Sequence, residues 1–245
     1  MSLRLLSYNI RFGGAGREQM LSAVIQACSP DIVILQEATR PEIVKRLAND
    51  CGMPQWGARL GHSLAWMSRI EVSGSAWHKV WFAKRSYLEL AAGGLRVFGV
   101  HLAAIHSNVT ERRRLWEARA LLAGIAPAGF HVLTGDFNSL APGEILDLAR
   151  LPGRLRAIAW ATGGAVRWQT IRHVLDAGYV DGYRLFHDDP GYTFPTWDPR
   201  LRLDYCFLPA AERERLESCE VMSGAAHSRE ASDHLPLLSV IASPA

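Results

Sequence analysis

The sequence predicts an α/β sandwich built from largely mixed or antiparallel β-sheets. Predicted strands outnumber the clear helices, and a hairpin occurs among helical crossovers, a mixture typical of this class. No internal repeat, low-complexity tract or linker interrupts the chain. With 245 residues, 49% of them hydrophobic, the chain is long enough to bury a large core. We therefore expect a single domain over residues 1–245, although length and composition alone fit two domains equally well.

The first part of the chain predicts strands that alternate with helices. Strands are indicated by continuous apolar runs, helices by apolar residues at helical spacing, and breaks by proline and glycine. In order, the elements are the strand Leu3–Asn9, a helix from Met20 that is stopped by Ser29 and Pro30, the strand Asp31–Gln36, the helix Pro41–Asn49 and the strand Ser63–Ser68. The first two strands end at hydrogen-bonding side chains, Asn9 and Glu37, rather than at hydrophobic ones.

The second part begins with a hairpin, because Gly93 and Gly94 tolerate the positive φ of a tight turn. A helix follows over Thr110–Ala123, with Thr110 as its cap. The remaining predicted elements are a strand that ends at Gly135, helices over Gly143–Ala149 and Trp168–Ala177, and strands over Leu203–Leu208 and Leu235–Ile241. The hairpin spans Ser86–His101, whereas residues 151–160 give no clear pattern.

The stretch His131–Leu140 carries the clearest chemical signal. Its apolar run ends abruptly at Gly135, and Asp136 and Asn138 follow at a spacing of two. If the strand continues, both side chains project from one face and Phe137 points the other way. A carboxylate and an amide at a strand end can hold a water molecule and a phosphate oxygen. The stretch therefore indicates the active site of a metal-dependent phosphodiesterase.

Polar residues recur at or beside the ends of predicted strands along the whole chain, where loops carry chemistry on a rigid scaffold. They are Asn9, Glu37, His101, Asp136, Asn138, Asp204, Asp233 and His234. Each has a structural explanation when taken alone: Asn9 could be a turn residue, Glu37 a cap, and Asp204 a partner of Arg202. Their joint recurrence favours a catalytic site.

Composition excludes several classes of function. No apolar run approaches the roughly 18 residues of a membrane span, so we expect no stable membrane association. The N-terminal residues resemble a strand and lack the features of a signal peptide, so we expect a cytoplasmic protein. The 4 cysteines form no Cys-x-x-Cys pair, which argues against a zinc site or a disulfide framework. A net charge of +3 permits an anionic substrate without requiring one.

Six short motifs occur in a fixed order. They are Tyr8-Asn9, Leu35-Gln36-Glu37, Val100-His101-Leu102, Thr134-Gly135-Asp136-Phe137-Asn138, Leu203-Asp204-Tyr205 and Ser232-Asp233-His234-Leu235-Pro236. Together they resemble the motifs of the endonuclease/exonuclease/phosphatase superfamily, from Leu5 to Leu238 and in family order. The resemblance implies a four-layer α/β sandwich, in which two packed mixed β-sheets are flanked by helices and the site lies at one edge. It also implies Mg²⁺ or Mn²⁺ as cofactor and hydrolysis of phosphoesters.

The resemblance and the chemistry of the reaction together suggest the metal ligands. Attack of water on an anionic phosphodiester requires charge neutralisation and an oriented nucleophile. Glu37 is interpreted as the direct ligand, because hard divalent cations prefer carboxylate oxygen and Mg²⁺ typically retains several waters. Asn9 would help to position the cation beside Glu37. Asp233 resembles the other metal-side carboxylate of the family and would bind through water.

The remaining residues are assigned to the nucleophile and the phosphate. Asp136 would orient or deprotonate the attacking water, and Asn138 would donate a hydrogen bond to the nucleophile or the phosphate. His234 and His101 would contact the phosphate, with Asp204 fixing the tautomer of His234. Whether His234 acts as a base or as an electrostatic stabiliser stays open at the level of sequence.

Two departures from the family pattern bear on the substrate. No acidic residue follows Asn9 closely, and His101 stands where the abasic-site endonucleases carry tyrosine. The chain therefore looks closer to the histidine-bearing deoxyribonucleases, sphingomyelinases and tyrosyl-DNA phosphodiesterases. We predict a DNA endonuclease or exonuclease, or a DNA-end-processing enzyme, that acts as a monomer. A sphingomyelinase-like or inositol-phosphate phosphoesterase is the alternative, and a non-catalytic binding module is the third hypothesis.

Four further residues are predicted to bind the substrate. They are the aromatic residues Phe194 and Trp197 and the basic residues Arg112 and Arg202. Aromatic rings can stack on bases, and arginines can reach the flanking phosphates. Packing of the turn explains Phe194 and Trp197 equally well, and a solvated charged face explains Arg112 better.

Overall fold

Two six-stranded β-sheets form the centre of the computed structural model, which describes residues 2–79, 86–125, 129–147, 149, 153–161 and 166–242. The first sheet has the spatial order β11 (Leu216–Val221), β12 (Leu237–Ala242), β1 (Ser2–Asn9), β2 (Ile32–Gln36), β4 (Ala65–Ser68) and β3 (Gln55–Gly57). The second has the order β5 (Val72–Lys79), β6 (Ser86–Ala92), β7 (Leu95–His101), β8 (His131–Asp136), β10 (Asp204–Pro209) and β9 (Tyr179–Asp181). The pairs β1/β2 and β7/β8 are parallel and the other pairs are antiparallel, so both sheets are mixed.

Helices cover the outer faces of the two sheets. Those in the described residues are α1 (Glu18–Cys28), α2 (Pro41–Asp50), α3 (Asn108–Gly124), α4 (Gly153–Ala161), α5 (Thr170–Asp176) and α6 (Ser228–Ala231). None of these described helices combines the length and the hydrophobicity that a transmembrane segment needs.

Strand β2 shows how the layers pack. Successive side chains of a strand point to opposite faces. Ile32 and Ile34 accordingly lie in the core between the sheets, whereas Val33 and Leu35 pack in a second core with residues of α1 and α2. A third core covers the outer face of the second sheet with residues of α3 and α5. The predicted four-layer α/β sandwich is therefore confirmed.

Helix α3 buries charged residues along the face that meets the protein. Its buried positions include Glu111, Arg114 and Glu117, where a helix of this kind usually presents an apolar stripe. The helix begins two residues earlier than predicted, because Ser107 is the cap and accepts a hydrogen bond from the backbone of Thr110. The prediction of Thr110 as the cap is therefore wrong, since Thr110 is the reciprocal partner in a capping box.

Most predicted elements are confirmed to within two residues at each end. The predicted helix Gly143–Ala149 is wrong, because residues 144–147 have no regular structure. Prediction missed β3, β5, β9, β11, α4 and α6. The missed strands β3 and β9 have 3 residues each, too few for a periodic pattern. Strand β5 is long but lies at the sheet edge and lacks the buried alternation of a core strand.

Candidate active site

The candidate site lies where the carboxyl ends of parallel strands meet the beginnings of antiparallel strands. In the first sheet, β1 and β2 end together at Asn9 and Gln36. In the second sheet, β7 and β8 end together at His101 and Asp136. Strand β10 runs antiparallel to β8 and begins with Asp204 opposite Asp136. Strand direction therefore brings residues from distant parts of the sequence to one edge.

Gly135 allows β8 to approach β7 at this edge. Its φ is +142°, and a Cβ atom there would lie 2.1 Å from the carbonyl oxygen of Val100. The strand ends at Asp136, and Asn138 has a left-handed φ of 51°. The backbone N–H of Asn138 donates to Oδ1 of Asp136 over 2.9 Å. The strand does not continue through Asn138, so the condition for placing both side chains on one face is not met: a turn joins the Asn138 backbone to the Asp136 carboxylate, and the Asn138 side chain donates to the Leu102 carbonyl over 3.2 Å.

The carboxylate of Asp136 is the centre of the site. Its Oδ2 accepts a hydrogen bond of 3.0 Å from Nδ2 of Asn9. The Nε2 atoms of His101 and His234 lie 3.6 and 3.8 Å from the same oxygen. Side chains from both sheets thus converge on one buried carboxylate. Burial raises the pKa of Asp136 to about 7, although the nearby His234 opposes the rise.

His234 and Asp204 form a buried pair beside this carboxylate. Nδ1 of His234 lies 2.8 Å from Oδ2 of Asp204. Burial alone would lower the pKa of His234, but the carboxylates of Asp204 and Asp136 outweigh burial and raise the pKa to about 10. The two carboxylates therefore favour the protonated form of the imidazole. Oδ1 of Asp204 is buried and accepts no hydrogen bond from the described part of the chain.

A contact that the sequence did not predict orients His101. The hydroxyl of Ser63 lies against Nδ1 of His101. The backbone N–H of Glu37 donates to the same hydroxyl oxygen over 3.3 Å. Because Nδ1 is engaged by Ser63, Nε2 of His101 is left to face Asp136. Ser63 escaped prediction because a serine near the start of a strand has no distinguishing pattern.

The three predicted metal ligands surround the loop that follows β1. The backbone N–H of Phe12 donates to Oε2 of Glu37 over 2.7 Å. The guanidinium of Arg11 lies 3.4 Å from Asp233, and the backbone N–H of Arg11 donates to Oδ1 of Asn9 over 3.0 Å. This loop therefore joins the ends of β1 and β2 to the segment that precedes β12.

Arg17 stabilises the same loop after β1, and sequence reasoning also missed it. Its guanidinium donates to the backbone carbonyls of Ile10, Arg11 and Ala231. These bonds tie the loop after β1 to the segment that carries Asp233. An arginine just before a helix resembles any surface residue in the sequence, so only the fold reveals this role.

Two groups of side chains offer donors to a divalent cation. Oxygen donors, which Mg²⁺ prefers, come from Glu37, Asn9 and Asp233. Within the described residues the hydrogen bond of the Glu37 carboxylate uses Oε2, so Oε1 is left for a cation. The second group is Asp136, Asp204 and His234, whose ligand atoms lie within 4.8 Å of one another. The second group includes an imidazole nitrogen and the first offers oxygen atoms only, so the first group fits a hard cation better.

Unusual backbone conformations are concentrated at this edge. A non-glycine residue with positive φ is uncommon and costs about 1–3 kcal/mol. Such residues in the loops at the site are Arg11, Phe12, Glu37, Ile105 and Asn138. Their neighbours hold them in place through the hydrogen bonds described above for Phe12, Arg11 and Asn138.

Phe194 and Trp197, the predicted aromatic contacts, lie beside His234. The ring of Phe194 is 4.8 Å from the ring of His234 and 6.4 Å from that of Trp197. Trp197 is 64% exposed, so its ring is accessible to a substrate. Contact of these rings with a base stays a prediction.

Arg202 does not fit its predicted role. It is 1% exposed, and its guanidinium nitrogens lie 2.6 Å from Asp181 and 2.8 Å from Glu144. Its charge is thus compensated inside the protein, and a phosphate cannot reach it. The alternative pairing of Arg202 with Asp204 is also wrong, because Asp204 pairs with His234. Arg112 is exposed on α3, and its contact with a phosphate stays a prediction.

Comparison with solved structures shows the same architecture. An endonuclease/exonuclease/phosphatase from Beutenbergia cavernae is 20% identical, with 98% of this chain and 71% of that chain covered and a TM-score of 0.74. The 3′-5′ exonuclease NExo from Neisseria meningitidis is 17% identical, with 98% and 100% covered and a TM-score of 0.74. An AP endonuclease from Archaeoglobus fulgidus is 18% identical, with 98% and 99% covered and a TM-score of 0.72. At these identities the likeness establishes the fold alone.

Sequence comparison gives the family directly. No curated protein sequence matches the chain. The model of the Endonuclease/Exonuclease/phosphatase family matches residues 6–234, which is nearly the whole chain. Enzymes of that family hydrolyse phosphoester bonds and depend on a divalent metal. The chain belongs to the endonuclease/exonuclease/phosphatase family.

Proposed function

We propose that this protein is a Mg²⁺- or Mn²⁺-dependent phosphodiesterase that cleaves DNA with an activated water molecule. The observation that carries the proposal is the convergence of Asn9, Asn138, His101 and His234 on the buried carboxylate of Asp136. Two donors hold that carboxylate in place, and two imidazoles lie beside it, of which that of His234 is favoured in its protonated form. Such an arrangement suits an anionic ester attacked by water.

The metal would be held by Glu37. Asn9 would help to position it there, and Asp233 would contribute through water. When bound, the cation supplies positive charge that stabilises the phosphate as negative charge develops on it. Glu37 is suited to this role because its carboxylate is fixed by the Phe12 N–H through one oxygen only.

Asp136 would orient the attacking water and accept its proton. Its pKa of about 7 is suited to proton transfer near neutrality, where general-base catalysis contributes roughly 10²–10⁴ in rate. The side-chain amide of Asn138 donates one N–H to the Leu102 carbonyl and would donate the other to the nucleophile or the phosphate, while its backbone holds Asp136. These residues act together because the turn at Asn138 fixes both.

His234 and His101 would bind the phosphate oxygens. The pairing of His234 with Asp204 favours its protonated form, which supports a role as electrostatic stabiliser rather than as base. Ser63 would position His101 through Nδ1. Both imidazoles present Nε2 to the same place, where the phosphate would lie between them.

A nucleic-acid substrate is supported by two considerations. Phe194 and Trp197 provide rings beside His234 that can stack on bases. The proteins of similar fold include a 3′-5′ exonuclease and an AP endonuclease, and one of them is a 3′ phosphatase bound to a product DNA hairpin. A single domain, a monomeric state and a cytoplasmic location stay predictions.

A substrate panel tests the proposal. Wild-type protein is incubated with Mg²⁺ or Mn²⁺ and with plasmid, single-stranded DNA, RNA, 5′-tyrosyl DNA or sphingomyelin. We expect hydrolysis of DNA that EDTA abolishes and that Asp136→Asn lowers roughly 10²–10⁴-fold. Asp198→Asn is the matched control, because Asp198 is an exposed carboxylate outside the cluster.

Two results would overturn the proposal. One is hydrolysis of sphingomyelin with none of nucleic acid, which would favour the lipid phosphoesterase. The other is full activity of purified Asp136→Asn on DNA, since the buried carboxylate would then have no part in the reaction.

A further inference from the structure

We infer that Phe12 binds the substrate and that, with Trp197, it stacks on unpaired bases at either side of the scissile phosphate. The site would therefore take a single-stranded or locally unpaired segment of nucleic acid. This inference rests on the proposed function and adds the base-pairing state of the substrate. Phe12 has no part in the metal or phosphate roles assigned above beyond its backbone N–H.

Phe12 presents its ring to solvent from a rigid backbone. The residue is 75% exposed, so packing in a core does not explain an aromatic side chain there. Its φ of 49° is costly for a bulky residue. Its backbone N–H is bound by Glu37, and the N–H of the following Gly13 donates to the Glu37 carbonyl over 2.9 Å. A fixed ring of this kind binds a planar partner at low entropic cost.

A continuous line of contacts connects Phe12 to the centre of the site. The guanidinium carbon of Arg11 lies 5.5 Å from the centroid of the Phe12 ring. The same guanidinium lies 3.4 Å from the carboxylate of Asp233. Asp233 is followed directly by His234, so the ring stands one side chain away from the segment that carries the phosphate-binding histidine.

Trp197 is connected to the same segment by a different contact. The backbone N–H of Thr196 donates to the carbonyl of Asp233 over 3.0 Å, and the exposed Trp197 follows. The loop with Phe12 therefore contacts the side chain of Asp233, and the loop with Trp197 contacts its backbone carbonyl. A strand whose phosphate lies at His234 would have nucleotides on both sides within reach of a ring.

The chemistry of the surroundings favours nucleotides. The ion pair of Arg11 and Asp233 adjoins the Phe12 ring, so the surface there is not the continuous apolar patch that an acyl chain needs. Arg40, which packs against Gly13, is exposed and could contact backbone phosphates. Rings stack on bases only where the base faces are free, and in a regular duplex neighbouring base pairs cover those faces.

Binding to two matched strands tests the inference. The full chain is titrated in EDTA, which prevents hydrolysis, against labelled oligothymidine and against the same backbone with base-free residues. Fluorescence anisotropy gives the Kd values. We expect Phe12→Ala and Trp197→Ala each to weaken oligothymidine binding about 10-fold and to leave the base-free strand unaffected. Phe12→Trp, which keeps a ring, is expected to retain wild-type affinity.

Trp160→Ala is the matched control, because Trp160 is 81% exposed but lies on α4. It should change neither Kd. Equal weakening on both strands, or no weakening, would overturn the stacking role. Equal affinity of wild type for blunt duplex and for single strand would overturn the preference for unpaired bases.

The outcomes separate this inference from the proposed function. If the wild-type protein cleaves DNA but binds the two matched strands equally, the proposed function is supported and the stacking inference is overturned. If the protein binds oligothymidine through its rings but cleaves no nucleic acid, the proposed function is overturned and the ring contacts are supported. Binding of sphingomyelin vesicles through Phe12 and Trp197, with no affinity for oligothymidine, would remove both.

Discussion

Two buried clusters of charged side chains differ in how their charges are compensated. Around Arg202, one cation lies 2.6 Å from Asp181 and 2.8 Å from Glu144, and its guanidinium carbon is 4.5 Å from the ring of Tyr205. Around His234, one imidazolium serves two carboxylates, and an oxygen of Asp204 is left without a partner among the described residues. In the Arg202 cluster a second cation, Arg184, lies 3.3 Å from Glu144, so two arginines balance two carboxylates, whereas in the His234 cluster two carboxylates share one imidazole. We call the first cluster complete and the second incomplete in this sense of charge balance.

This difference separates a structural role from a catalytic one. Buried charges occur in both clusters, so burial alone does not identify an active site. A complete cluster contributes to stability when all its members are present and costs several kcal/mol when one is removed. An incomplete cluster is destabilising unless a ligand completes it, and such strain is common at functional sites.

The largest expected effect is on the stability of the complete cluster. Arg202→Met leaves the buried Asp181 without a cation at ion-pair distance among the described residues and leaves Glu144 with Arg184 alone, so we expect the free energy of unfolding to fall by about 3–5 kcal/mol. The activity of the folded fraction should not change. Urea unfolding and initial rates check both expectations. Loss of activity without loss of stability would return Arg202 to the substrate-binding residues.

The next largest effect is on the rate at the incomplete cluster. His234→Gln keeps a donor for Asp204 but removes the positive charge beside the phosphate. We expect a loss of about 2.7–4 kcal/mol of transition-state stabilisation, or 10²–10³ in kcat. The free energy of unfolding should change less than in Arg202→Met. Single-turnover kinetics measure the rate, and a kcat within the error of wild type would exclude the stabilising role.

A smaller effect concerns a third buried cluster, in which Glu111 binds Arg114. Nε of Arg114 donates to Oε2 of Glu111 over 2.9 Å, and the backbone N–H groups of Gln169 and Thr170 donate to Oε1 over 2.8 Å each. Burial would raise the pKa of Glu111, but Arg114 and these N–H groups outweigh it and hold the pKa below the usual 4.5. Like the Arg202 cluster, this one is expected to serve stability.

Its stabilisation should therefore depend on pH with a definite sign. A carboxyl with a lowered pKa in the folded state stabilises the fold above its unfolded pKa and ceases to do so as pH falls through the folded pKa. We expect Glu111→Gln to cost about 1–3 kcal/mol at neutral pH. The difference from wild type should shrink as pH falls below 4.5. Urea unfolding at several pH values measures it, and a difference that grows on acidification would contradict the account.

The fold was largely predictable because its central strands carry strong patterns. β2 is a continuous apolar run, and the Gly93-Gly94 turn marks the hairpin. The parts that escaped prediction have weak local patterns: β3 and β9 are too short, and the turn at Asn138 depends on a hydrogen bond to Asp136. Local sequence does not encode such tertiary contacts.

The candidate site was predictable in its residue types but not in its supporting contacts. The polar residues at strand ends were found because their motifs keep a fixed order. Ser63 and Arg17 were missed, since their roles depend on contacts across 38 and 214 positions of the chain. Arg202 was misassigned because its partners, Asp181 and Glu144, lie far from it in sequence and close to it in space.

One paired measurement tests the central claim most directly: the activity on DNA and the free energy of unfolding of Asp136→Asn beside those of Asp181→Asn. Both substitutions neutralise a buried aspartate without changing its shape. Asp136→Asn should abolish most of the activity without a comparable loss of stability, because its carboxylate is strained by burial. Asp181→Asn should lower stability and leave the activity of the folded protein intact. The opposite pattern, a stable Asp181→Asn with impaired hydrolysis and an active but unstable Asp136→Asn, would contradict the account.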